Sequence, residues 1–246
     1  MKSRTPMPMN TIEGIHYQSG RAIRLGIRGE RIERVEPLPG KRPDLPLLAP
    51  GLTDLQVNGY GGVDFNTLPF REEDVQAVVR GLAGQGVTSF LPTLVTNRSE
   101  AIHSGIRTLL GACASYPEVR NALEGIHLEG PFLSREEGPR GAHDPGLMQA
   151  PDWDLFRDWQ REAQGRIRIL TLSPEWENAP EFIRRCSADG TLVATGHTAA
   201  TPEQIAEAGS AVPACQVTSG TRPTSSCPAT PTTSGSNSPG TSSGPR

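Results

Sequence analysis

The chain has 246 residues, long enough for one large domain or two modest ones with a sizeable core. A formal charge of -3 and a pI near 6.0 give no electrostatic case for nucleic acid or an anionic membrane as partner. The opening MKSRTPMPMNTIEG has no apolar stretch behind its basic residues and predicts no signal peptide. No run of about 18 apolar residues predicts a membrane span, and Cys113, Cys186, Cys215 and Cys227 show no C-x-x-C spacing, so a cytoplasmic location is expected.

Residues 12–50 are short apolar runs broken by Gly and Pro. Alternation across Ile23–Ile27 and Ile32–Val35 predicts small antiparallel strands with tight turns. From Leu52 the texture changes to LTDLQVNG (52–59), TSFLPTLVT (88–96), LEGIHLEG (123–130), IRILTLSPE (167–175) and TLVATGHT (191–198). Amphipathic stretches lie between them, such as EEDVQAVVRGLAGQG (72–86) and EAIHSGIRTLLGACASY (100–116). Strand, helix, strand at this spacing predicts parallel βα units. Polar residues gather where each run ends: Gln56 and Asn58, Thr93 and Thr96, Glu129, Glu175, His197. Barrel active sites are built at that end, and a doubly wound sheet binds its ligands there too.

Glu129 and His197 end two different predicted strands, so a barrel would bring them to one mouth. A carboxylate and an imidazole from separate strands can hold a first-row divalent ion, most often Zn²⁺ or Fe²⁺. A buried Glu neutralised by Lys or Arg, beside a His capping the next helix, would look the same in sequence. His127 shares a strand face with Glu129 and is expected to orient the carboxylate rather than bind an ion. Arg140 and His143, on the long loop PFLSREEGPRGAHD, are candidates for an anionic or hydroxylated substrate. The glycines of NGYGGVDF are not followed by Gly-Lys-Ser/Thr and predict a tight turn rather than a nucleotide loop. No G-x-S-x-G elbow supports a nucleophilic mechanism.

PGLTDLQVNGYGGVDFN (50–66), GVTSFLPTLVT (86–96), HLEGPFLSREEGPRGAHDP (127–145), LTLSPE (170–175) and VATGHTAAT (193–201) occur in register. Together they resemble the N-acetylglucosamine-6-phosphate deacetylases of the amidohydrolase superfamily, over about residues 12–208. The resemblance implies an incomplete (β/α)₈ barrel of about five βα units. It also implies an N-terminal segment of a small β-sandwich, which a returning C-terminal segment would complete. The expected divisions are 1–50, 51–209 and a disordered tail, 210–246. The implied metal ligands are Glu129 and His197, with a third His on the following strand. Gln56 and Asn58 stand where many amidohydrolases carry His-x-His, which resembles the single-metal branch. Ala142 and His143 match the substrate-contacting pair, so Ala142, His143, Gln56 and Asn58 are the implied substrate-binding residues.

The implied activity is metal-dependent hydrolysis of the acetamide of N-acetylglucosamine 6-phosphate to glucosamine 6-phosphate and acetate. The implied ion is one divalent metal, Zn²⁺ before Fe²⁺, the partner a small amino-sugar phosphate, and the family state a homo-oligomer. The alternatives are a related amidohydrolase acting on another N-acetyl sugar phosphate, and a remnant without catalysis.

The family's third metal His and proton-transferring Asp belong beyond residue 209, so no catalytic residue is expected within the chain. The histidines are His16, His103, His127, His143 and His197, which leaves none for that third position. In residues 210–246, 26 of 37 are Ser, Thr, Pro or Gly, a composition that does not fold. The abrupt change predicts a truncated chain with a reading-frame shift near Ser210. In the shifted frame, codons across Val217–Thr221 can read His-Leu-Gly-Asn, which resembles the family's strand-six motif. The nucleotide sequence across codons 205–215 and translation of the shifted frame test this; a stop codon within a few residues, or no His-Leu-x-Asn, would mean that the tail is genuine.

Overall fold

A computed structural model describes residues 8–211. The expected frameshifted tail therefore lies almost wholly outside the described residues.

The N-terminal strands are β1 (Met9–His16), β2 (Ala22–Arg28), β3 (Arg31–Pro37) and the two-residue β4 (Leu47–Leu48). They form one sheet in the order β3-β2-β1-β4. The two expected alternations fall inside β2 and β3. β1 pairs antiparallel with β2, and the register sets Glu13 opposite Arg24 in a 2.6 Å ion pair. Ile32 and Val35 on β3 remain 59% and 61% exposed. Among the described residues this is a single sheet with an exposed apolar edge.

The second sheet consists of five parallel strands: β5 (Leu52–Val57), β8 (Val87–Val95), β9 (Ile126–Glu129), β10 (Ile167–Leu172) and β11 (Leu192–Thr195), in the order β11-β10-β9-β8-β5. Between β5 and β8 lie the short hairpin β6 (Gly59–Tyr60) and β7 (Val63–Asp64), then α1 (Glu72–Ala83). Gly61 and Gly62 at the hairpin tip have φ of +62° and +89°, so the glycine run is the tight turn that its composition predicts. The later crossovers carry α2 (Ser99–Ser115), α3 (Pro117–Ala122), α4 (Trp153–Glu162) and α5 (Ala179–Ala188); α6 (Pro202–Ala211) follows β11. Five consecutive parallel strands with helical crossovers fit a partial (β/α)₈ barrel.

Helix packing follows the sequence period. Val75, Val78, Val79 and Leu82 form the buried stripe of α1, and Ile102, Ile106, Leu109 and Cys113 that of α2. These stripes share one core with Ile126, Leu128, Leu170, Leu172 and Val193, which form the outer face of the sheet. The inner face differs in kind. It holds the small apolar cluster Leu91, Ile169 and Ala194, and alternates with Thr93, His127, Glu129 and Thr171, all buried. No helix among the described residues is long and apolar enough to cross a membrane.

Candidate metal centre

β9 ends at Glu129, and the chain then turns sharply at Gly130, whose φ is +85°. The carboxylate is 4% exposed and reaches two partners. Gln56 Nε2 donates to Oε2 at 3.0 Å, and His197 Nε2 lies 2.8 Å from Oε1. Glu129 is thus met by an amide and an imidazole rather than by Lys or Arg, which removes the bland explanation of its burial.

His197 lies two residues beyond β11 with a left-handed φ of +49°. Its Nδ1 faces the carbonyl of Pro139 at 3.1 Å. A carbonyl and a carboxylate only accept, so the surroundings of both ring nitrogens favour the imidazolium form. Its pKa is accordingly raised, first by the hydrogen bond to Glu129. Burial alone would raise the pKa of Glu129; the His197 hydrogen bond and the charges of the surrounding imidazoles outweigh it and hold the carboxyl below its ordinary value.

His143 stands 4.0 Å from Glu129 Oε1, and its ring meets that of His197 edge-on at 4.5 Å between centroids. Its Nδ1 is 2.9 Å from Thr96 Oγ1, which bonds in turn to the Glu129 carbonyl. The Thr96 hydroxyl donates to that carbonyl, so it accepts from Nδ1–H and leaves the Nε2 lone pair facing the site. Burial, and then the charge of His197, lower the pKa of His143. The loop after β9 folds back and brings this imidazole beside the pair. Glu129, His143 and His197 each offer a ligand atom within 4.8 Å of the others. One carboxylate and two imidazoles are the protein donors of a common type of catalytic zinc site, so the residues fit a divalent cation.

His127 behaves differently from its sequence expectation. Its Nδ1 donates to the Leu55 carbonyl at 3.1 Å, and its Nε2 accepts from Thr171 Oγ1 at 2.7 Å. Burial lowers its pKa and keeps it neutral. It ties β9 to β5 and β10, whereas the hydrogen bond that orients the carboxylate comes from Gln56. Gln56, Asn58, Ala142, His143, Glu129 and His197 all line one cleft of about 580 Å³, together with Asn66 and Thr96. Arg140 turns back to donate to the His143 carbonyl at 3.0 Å. Asn66 was missed in sequence: it donates to the Thr93 carbonyl and accepts from Val95 N, fixing the end of β8. Its only signal was its place at the end of the VDFN motif.

The chain is 39% identical over 172 residues to N-acetylglucosamine-6-phosphate deacetylase of Bos taurus, a match covering 66% of this chain and 40% of that protein. It is 32% identical over 171 residues to the Bacillus subtilis enzyme of the same name, covering 67% and 41%. The chain is similar to the N-acetylglucosamine-6-phosphate deacetylases. It spans about 40% of the length of the curated relatives it matches. Among solved structures, the Pasteurella multocida deacetylase superposes with a TM-score of 0.69 at 24% identity, covering 83% of this chain and 55% of that one. A Mycobacterium smegmatis mutant in complex with N-acetyl-D-glucosamine-6-phosphate gives 0.68 at 26%, covering 82% and 53%. No family model matches.

Proposed function

We propose that the described residues form the metal- and substrate-holding half of a site for hydrolysing the acetamide of N-acetylglucosamine 6-phosphate. The observation that carries this reading is the convergence of Glu129, His143 and His197 at one cleft, in a chain similar to deacetylases of that name. In this reading Glu129 and His197 hold one divalent ion, Zn²⁺ before Fe²⁺. When bound, such an ion polarises an amide carbonyl and lowers the pKa of water. Gln56 holds the Glu129 carboxylate in place, and the Pro139 carbonyl fixes the His197 ring. His143 and Ala142 face the sugar, with Gln56 and Asn58 across the cleft. Residues 51–209 are then part of a barrel, and residues 1–50 one layer of a small sandwich. The reading of another N-acetyl sugar phosphate as substrate draws no support, since the matched relatives share one name.

Among the described residues of the cleft, none is assigned the proton transfer. The resemblance puts the Asp that would take and return the proton beyond residue 209. The other carboxylate at the cleft, Asp144, accepts from Gly146 N at 2.8 Å and caps a short turn. The described residues are therefore expected to bind the metal and the sugar phosphate together. Calorimetry with N-acetylglucosamine 6-phosphate, with and without Zn²⁺, tests this. Metal-dependent binding is the expected result. Absence of any metal-dependent binding would contradict the reading.

A further inference from the structure

The loops after β9, β10 and β11 meet at a carboxylate that the proposed chemistry leaves unused. Glu175 Oε1 accepts from Ser134 Oγ at 2.9 Å. Its Oε2 accepts from Ser173 Oγ at 2.8 Å and from the backbone N–H of Ala199 at 2.9 Å. Ser134 and Ser173 are fully buried, while Glu175 is half-buried and its bond from Ala199 N lies at the surface. Two routes lead from this carboxylate to His197. Ser134 N–H donates to the His197 carbonyl at 2.9 Å, and Ser173 Oγ lies 2.7 Å from Thr198 Oγ1, beside Ala199. His197 needs such support. It is a non-glycine residue in the left-handed region, a conformation that persists only where the surroundings impose it.

We propose that Glu175 is a positioning residue: its carboxylate clamps three loops together and so fixes the left-handed turn that aims the His197 imidazole at Glu129. The clamp is a property of the metal-free protein, while its effect on cation affinity rests on the reading of Glu129 and His197 as ligands.

Glu175→Ala and Glu175→Gln in the full chain test it by two readouts. The first is amide hydrogen exchange without metal. In Glu175→Ala, exchange across residues 196–200 should rise roughly tenfold or more, with the amides of β9 unchanged. The second is Co²⁺ affinity with its visible absorption spectrum. Affinity should fall roughly tenfold to a hundredfold, the usual cost of losing a group that orients a ligand. Glu175→Gln keeps an acceptor for Ala199 N and can donate to Ser134, so it should restore most of both. If Glu175→Ala does not fold, Ser134→Ala removes one arm of the clamp and should show the same two changes in smaller degree. Unchanged exchange at 196–200 would overturn the proposal. So would faster exchange with wild-type Co²⁺ affinity. If the wild-type chain takes up no Co²⁺, the metal reading fails and the exchange result alone decides the role of Glu175.

Discussion

The two faces of the β9–β10 wall are made by the same strands, residue by alternate residue, yet they obey different rules. Ile126, Leu128, Leu170 and Leu172 point outward into the helix layer and are at most 1% exposed or fully buried, with nothing to satisfy but packing. His127, Glu129 and Thr171 point inward and are almost as buried, at 1%, 4% and 2% exposed. Burying those polar groups costs several kcal/mol unless each finds a partner. On the inner face every one does: His127 with the Leu55 carbonyl and Thr171, and Glu129 with Gln56 and His197. The outer face therefore holds the fold, and the inner face spends its polar groups on geometry. Mutations should separate the two.

The largest effect is expected from the outer face. Leu128→Ala leaves a cavity between sheet and helices and should lower stability by roughly 2–5 kcal/mol in urea unfolding followed by circular dichroism. A loss below about 1 kcal/mol would mean that the sheet is not packed as described. On the inner face, Glu129→Gln keeps the shape and removes the charge. Cation affinity should drop roughly a hundredfold or more, since losing a ligand costs at least as much as losing its support. Stability should change far less than in Leu128→Ala; a large fall in both would erase the distinction between the faces.

Gly130→Ala sits where the two faces meet. An added Cβ would overlap Thr96 Oγ1, and φ of +85° disfavours any side chain. The backbone strain alone is worth about 1–2 kcal/mol, and displaced Thr96 would release His143. Weakened sugar-phosphate binding together with a lower urea midpoint is the expected pair of outcomes. His143→Asn should weaken sugar-phosphate binding more than metal binding, as read by calorimetry on each ligand; the reverse order would make His143 a metal ligand instead.

The smallest effect is one of pH on the metal-free protein. His197 has a folded pKa above its ordinary 6.5, so its contribution is complete below that value and is lost as pH rises through the folded pKa. Glu129 has a folded pKa below 4.5, so its contribution is complete above 4.5 and is lost as pH falls through the folded pKa. The pair is thus most stabilising between pH 4.5 and 6.5. The difference in urea midpoint between wild type and Glu129→Gln should peak in that window and shrink on both sides.

Much of this could be read from sequence, because periodicity is a local property. The stripes of α1 and α2, the five parallel strands and the terminal positions of Glu129 and His197 follow from spacing alone. Long-range choices do not. Period two puts His127 and Glu129 on one face, but the partner each finds depends on neighbouring strands. β5 shifts register between Asp54 and Val57, and that irregular stretch contains Leu55 and Gln56, the partners of His127 and Glu129. His143 arrives on a loop without regular structure, and no spacing rule returns such a loop to its starting strand. β1 is not legible in the sequence either, because MNTIEGIH carries no sustained apolar alternation.

The central claim is that Glu129 and His197 share one divalent cation in place of the proton between them. Anomalous diffraction at the zinc edge, from crystals of the chain grown with Zn²⁺, measures this directly. The account predicts one strong peak per chain about 2.0–2.2 Å from a Glu129 carboxylate oxygen and from His197 Nε2. No peak in the cleft, with Glu129 and His197 still 2.8 Å apart as in the metal-free pair, would contradict it.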